Sequence, residues 1–175
     1  QGVWSFIIEP VQVEGGGYDF YLPSSSVLSV ETRFFQSTPE KTLTIPSTAA
    51  RVITVGAYDT YTEAYADFSG RGRNMPPSSV NIKPDFVAPG VNIKTLSPGN
   101  VPVAVSGTSF ATPFASGSAA LLMEWGIVRE NDPFLYGEKV KAYLRRGART
   151  LRSESVYPNN RVGWGALCLA GSLPD

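Results

Sequence analysis

Two short apolar runs in this sequence fail to alternate. Val52-Ile53-Thr54-Val55-Gly56-Ala57 and Asp85-Phe86-Val87-Ala88 carry almost no polar residue at every second position. A strand with one face in water alternates. A continuous apolar run of this length belongs to a strand covered on both faces, as in a parallel sheet under helices. Asn92-Ile93-Lys94-Thr95-Leu96 and Val103-Ala104-Val105 are two further strand candidates. Residues 61–82, with Gly70, Gly72 and Pro76-Pro77-Ser78-Ser79, read as loop.

Two helices follow. The first is predicted over residues 108–126, with Pro113 in its first turns, where a missing N–H costs little. Its small residues from Ala115 to Ala120 make it slim. Apolar residues lie nearly all round it, which predicts a central buried helix. The second is predicted over residues 133–147. Asp132 is placed to cap it, Pro133 suits the first helical position, and Leu135, Val140, Leu144 and Ala148 form the apolar stripe. Arg145 and Arg146 match the negative C-terminal end of the helix dipole, and Gly147 suits the position after it. The cluster Arg145, Arg146, Arg149 and Arg152 therefore reads as solvated helix-end charge rather than a binding patch.

Residues 1–41 have a different character. Val3 to Ile8 and Tyr18 to Leu22 are rich in β-branched and aromatic residues, and Gly15-Gly16-Gly17 lies between them. This predicts a hairpin, with a third short strand at Thr32-Arg33-Phe34-Phe35. An isolated hairpin is marginal in water, so these strands call for more strands beside them. Trp4, Phe6 and Tyr18 read as a β core rather than a sugar-binding surface.

Composition excludes several functions. Fifteen basic and fifteen acidic residues leave no net charge, so no long-range field draws the chain to nucleic acid or an anionic membrane. The apolar stretch around residues 119–125 is too short to span a bilayer. The opening residues run directly into a strand-like segment without a secretory-signal pattern. Cys168 is the single cysteine; with no partner thiol or imidazole it reads as a small packed hydrophobe. Histidine is absent altogether. Many hydrolytic mechanisms use an imidazole base, and this chain cannot supply one.

One stretch carries chemistry. Ser106-Gly107-Thr108-Ser109-Phe110-Ala111-Thr112-Pro113 puts hydroxyls where a strand-loop gives way to a helix. The helix N-terminus presents unpaired N–H groups and partial positive charge, which stabilise an alkoxide or oxyanion. Gly107 lets another chain approach the backbone closely. Position alone fits two readings: Thr108 or Ser109 as a helix cap, and Ser109 as a nucleophile.

The longer match separates them. Residues 107–113 resemble the Gly-Thr-Ser-x-Ala-(Ser/Thr)-Pro signature around the nucleophile of subtilisin-like serine proteases, the subtilases. Val52 to Ala57 resembles a strand of that family. Ala66-Asp67-Phe68-Ser69-Gly70-Arg71-Gly72 and Lys83-Pro84-Asp85-Phe86-Val87-Ala88-Pro89-Gly90 resemble the segments that follow it, in the same order. The resemblance spans about residues 42–171. It implies that Ser109 is the nucleophile, that its N–H forms half of an oxyanion hole, that Thr108 supports the hole and that Gly107 lies beside the substrate. The family's side-chain oxyanion donor is an Asn on an upstream segment, and no position here matches it. Phe110 and Phe114 stand where the family usually has Met and often has His. Leu121-Leu122-Met123-Glu124-Trp125-Gly126-Ile127 and Arg161 to Leu169 are similar to a clostridial group that includes spore-germination proteases, in which a jelly-roll domain interrupts the protease.

The fold class expected is α/β: residues 42–175 as the C-terminal part of a subtilisin-like three-layer fold with a parallel sheet, and residues 1–41 as the end of an inserted jelly-roll-like β domain. The family's chain order of Asp, His, Ser implies that the intact protein supplies His and Asp upstream. The expected activity is serine endopeptidase action on protein or peptide substrates, with this chain inactive alone and the upstream half of the same protease as its partner. A non-catalytic pseudoprotease is the alternative. The resemblance implies export or a spore compartment. No cofactor is required and no metal ligand is assigned. Structural calcium, common in the family, is compatible with backbone carbonyls near Val52, although no Asp-rich calcium loop occurs.

Overall fold

The computed structural model describes residues 2–23 and 27–174. Contacts divide the chain into two units, Gln1–Thr38 and Pro39–Asp175.

In the second unit, β1 (Val55–Asp59) is the middle strand of a three-stranded sheet. β3 (Phe86–Pro89) pairs with it in parallel, with Val55 opposite Phe86 and Tyr58 opposite Pro89. β2 (Ala64–Tyr65), a two-residue strand inside the segment expected to be loop, pairs antiparallel through Tyr58 and Tyr65. The sheet is therefore mixed, with a parallel centre. A separate antiparallel hairpin joins β4 (Ile93–Ser97) to β5 (Val101–Val105).

The missing alternation in β1 and β3 has the expected cause. Phe86 packs in a core with Leu122, Leu135, Val140 and Leu144 from the helical side. Ala57 and Ala88 pack with Ala111 at the start of α1 (Thr108–Met123). Between them, Val87 and Tyr58 point into a second core with Leu151, Val162 and Ala166. Both faces of the sheet's centre are dry, so the inner positions of β1 and β3 carry no polar side chain.

The helices differ from expectation in instructive ways. α1 runs into a π-helical turn, Glu124–Val128, and so extends past residue 126. It is not buried all round. Only Ala111, Ala115 and Leu122 are buried, while Phe114 and Leu121 are 44 % and 53 % exposed. An apolar helix with one bare face lacks a covering layer in this chain. α2 spans Glu138–Arg146, five residues later than the Asp132-Pro133 cap predicts. Leu135 N–H closes a turn on the Asp132 carbonyl at 3.0 Å, and Leu135 is fully buried in that turn, which delays the helix. Gly147 ends α2 in a right-handed conformation rather than a left-handed one. It is glycine because α3 (Leu169–Ser172) crosses there: a Cβ would stand 2.3 Å from the Ser172 nitrogen. Of the arginine cluster, Arg146, Arg149 and Arg152 are exposed as expected and Arg145 is not. Arg145 is turned inward onto Asp85 and stacks 3.9 Å over Trp164, and Arg149 and Arg152 both pair with Glu63 at 3.1 Å.

In the first unit, none of the described residues is in a strand, so the hairpin and the third strand predicted for residues 1–41 do not form here. The turn is present: Gly15 is left-handed and its carbonyl accepts from Gly17 N–H at 3.2 Å. Phe6 stacks on Phe20 at 6.0 Å and Tyr18 meets Phe20 edge-on at 5.7 Å, but no ladder links the two arms. Trp4, Phe6 and Tyr18 are exposed rather than in a core. Two strands without a third cannot bury an apolar face, which removes the reason to pair.

Candidate active site

The end of β3 anchors the start of α1. Gly90 N–H donates to the Tyr58 carbonyl at 3.1 Å, and the Gly90 carbonyl accepts from Gly107 N–H at 2.8 Å. A Cβ on Gly90 would stand 2.6 Å from the Ala57 Cβ and 3.4 Å from the Ala111 Cβ. The small residues Ala57, Gly90 and Ala111 therefore let the start of α1 sit directly on the sheet. Behind β1, the buried Ser69 hydroxyl accepts from Ala57 N–H at 3.0 Å and fixes the strand laterally.

Gly107 precedes α1 with φ +153°, a conformation that favours glycine, and it makes no side-chain cap. Its carbonyl accepts from Phe110 N–H at 3.1 Å. Thr108 and Ser109 thus occupy the first two helical positions, not the capping position. The Ser109 side chain is exposed, and its hydroxyl makes no hydrogen bond among the described residues. A helix cap would have spent that oxygen on a backbone N–H. The structure removes the capping reading and leaves a free hydroxyl at the positive end of a sixteen-residue helix.

Ser109, Thr108 and Thr112 form one wall of a cleft of about 740 Å³. A further wall includes Leu43, Thr44 and Pro46, and Val55 and Gly56 line the cleft from β1. Thr42 holds that wall: its N–H donates to the Arg71 carbonyl at 2.8 Å, and its hydroxyl accepts from Arg71 N–H at 2.9 Å. Among the described residues Asp67 is the one charged residue on the cleft lining, and no Asn lines it. The contribution of the 39–56 segment was not foreseen. Its only sequence signal was the position of Val52 to Ala57 upstream of the serine segment.

A buried ionic cluster stands behind the cleft wall. Asp85 is fully buried. Its Oδ2 accepts from Thr54 N–H at 2.6 Å and Lys83 Nζ at 2.9 Å; its Oδ1 accepts from Arg145 Nε at 2.8 Å and from Arg145 Nη2. Burial pushes the Lys83 pKa below the ordinary lysine value, with Asp85 partly opposing it. Among the described residues no group of His, Cys, Asp or Glu could hold a metal ion. Among the described residues no helix is long and apolar enough to cross a membrane.

This geometry coincides with a family match. The model of the subtilase family covers residues 29–165, and the chain belongs to that family. Serine protease AprX of Bacillus subtilis is 34 % identical over 154 residues, covering 77 % of this chain and 32 % of the relative. Subtilisin Savinase of Lederbergia lenta is 31 % identical over 120 residues, covering 69 % and 39 %. The Clostridium perfringens CspB protease superposes with a TM-score of 0.73 at 48 % identity, covering 81 % of this chain and 29 % of that one. The patellamide maturation protease PatA gives 0.60 at 32 %, covering 77 % and 46 %. The chain spans about a third of the length of the curated relatives named here.

Proposed function

We propose that this chain is the C-terminal portion of a subtilisin-like serine endopeptidase, with Ser109 as its nucleophile. The observation that carries this reading is the unpartnered, exposed Ser109 hydroxyl at the start of a helix that the Gly107–Gly90 bond ties to the sheet. Its own N–H, in the first turn of α1, is aimed to receive the oxyanion of a tetrahedral intermediate, with Thr108 beside it. Phe110 N–H is already bonded to Gly107, so it is not available for that purpose. Gly107 offers backbone to an extended substrate. The absence of histidine in 175 residues supports a base supplied by another part of the protein. There an imidazole takes the Ser109 proton, an upstream Asp orients it, and an acyl-enzyme forms and is hydrolysed by water.

The bare face of α1 at Phe114 and Leu121 supports an upstream half that covers it. Residues 1–41 fit the end of an inserted jelly-roll domain whose pairing strands lie elsewhere in the protein. The spore-germination link and an exported location rest on resemblance to the clostridial group. The test is a fluorophosphonate probe applied to the full-length protein and to this chain alone. Rapid labelling of the full-length protein, lost in S109A and slow in the isolated chain, is expected. An unlabelled full-length protein would establish the pseudoprotease alternative. Rapid labelling of the isolated chain would show that no outside base is needed.

A further inference from the structure

The loop before β1 ends in a cradle of oxygen atoms. The carbonyls of Ala50 and Val52, the Thr54 hydroxyl and the Asp85 carboxylate converge behind the cleft wall. Such a set of hard oxygen donors suits a metal cation. Here two ammonium groups take it. Lys83 Nζ donates to the Val52 carbonyl at 2.7 Å, to Asp85 Oδ2 at 2.9 Å and to the Thr54 hydroxyl at 3.0 Å, which uses all three of its donors. Lys141 reaches across from α2. Its Nζ donates to the Ala50 carbonyl and to the Val52 carbonyl at 3.1 Å, and lies 3.4 Å from Asp85 Oδ1. Both lysines are buried, and Arg145 adds a third cation on the same carboxylate.

The balance of charge decides what this cradle can hold. Three cations face one anion, so the cluster already carries an excess of two positive charges. A calcium ion seeks six to eight oxygens and net negative charge. At this place its donors are already accepting from ammonium groups, and it would meet repulsion from Lys83, Lys141 and Arg145. The carbonyls near Val52, compatible by sequence with a cation site, do not fit a metal.

We propose that Lys141, reaching from α2 into the carbonyl cradle of residues 50–52, serves as a built-in structural cation for the loop that leads into β1, in place of a metal ion. The loop and the helix are then locked by one side chain, and this cleft wall is set without dissolved cations. Removing the ammonium frees the Ala50 carbonyl, while Lys83 keeps the Val52 carbonyl and shares the carboxylate with Arg145.

The test compares thermal unfolding of the full-length wild type and K141A in chelator and in calcium. K141A should unfold at lower temperature than the wild type in chelator, and calcium should not restore it, because Lys83 and Arg145 still occupy and repel at the same oxygens. A calcium site elsewhere shifts both proteins alike, so equal shifts are expected; a K141A midpoint equal to that of the wild type in chelator, or one that calcium restores to it, overturns the proposal. Wild-type protein provides a second measurement that needs no variant. Reductive methylation of Lys141, read by mass spectrometry, should be equally slow in chelator and in calcium. Faster methylation in calcium would mean that the metal displaces the ammonium, which also overturns it.

Discussion

Gly107 N–H donates to the Gly90 carbonyl at 2.8 Å, so the residue that opens α1 is tied to the end of β3. The hydroxyl of Ser109 inherits its position from that bond. The site therefore depends on close approach at Gly90, where even one carbon would collide with Ala57.

Gly90→Ala forces β1 and the start of α1 apart. Overpacking of this kind costs about 1–3 kcal/mol. Urea unfolding should show a loss in that range, and fluorophosphonate labelling of Ser109 in the full-length protein should slow even where the variant is fully folded. Unchanged labelling in a folded variant would show that the Gly90–Gly107 contact does not position the serine.

Asp85 is the sole carboxylate facing two buried lysines and the half-buried Arg145, and the partners cannot be removed with equal effect. Asp85→Asn leaves Lys83, Lys141 and Arg145 facing one another and should cost about 3–5 kcal/mol, the scale of a buried charge left uncompensated. Arg145→Met leaves the carboxylate with both lysines and should cost less. Because Arg145 lies 3.9 Å over the Trp164 ring, this second variant should also change the tryptophan emission of the native state. Equal destabilisation by the two substitutions would show that the excess positive charge is not what Asp85 compensates.

The strands were legible because a buried parallel sheet leaves its mark locally, in runs such as Val52 to Ala57. The start of β1 was placed three residues early for a reason no local pattern contains: Thr54 N–H is taken by the Asp85 carboxylate, thirty-one residues away. Arg145 was misread for the same reason. A helix-end arginine looks solvated until its partner, sixty residues upstream, is folded beneath it. Ser109 was legible as a motif, whereas the cleft was not, since its walls come from residues 39–56, 67–70 and 108–112. The expected strands of residues 1–41 show the converse: β propensity without a neighbouring strand does not make a sheet.

The acid limb of stability should report Asp132. A hydrogen bond from Lys139 at 2.6 Å, with Tyr143 assisting, holds its carboxyl below the ordinary Asp value. A carboxylate with a depressed folded pKa contributes stability above its unfolded pKa and loses it as pH falls through the folded value. NMR titration should therefore place Asp132 below a model aspartate, and Lys139→Met should raise it again. A midpoint indifferent to Lys139 would show that the pair does not persist in solution.

The alkaline limb should carry the opposite sign at Lys83. Burial lowers its folded pKa from the ordinary 10.5, so just below that value the unfolded chain binds more protons than the folded one. Stability from this group then rises with pH across the window between the folded and unfolded pKa values. Lys139 runs the other way: its pKa is raised by Asp132, so its contribution is present below 10.5 and is lost as pH climbs through the folded value. The two slopes oppose each other in the whole protein, and substitution separates them. Relative to wild type, Lys83→Met should lose an upward slope of stability with pH below 10.5, and Lys139→Met should lose a downward slope above it. Urea unfolding at a series of alkaline pH values measures both, and a Lys83→Met slope equal to that of the wild type would show that the Lys83 ammonium is not held at the cost of its proton.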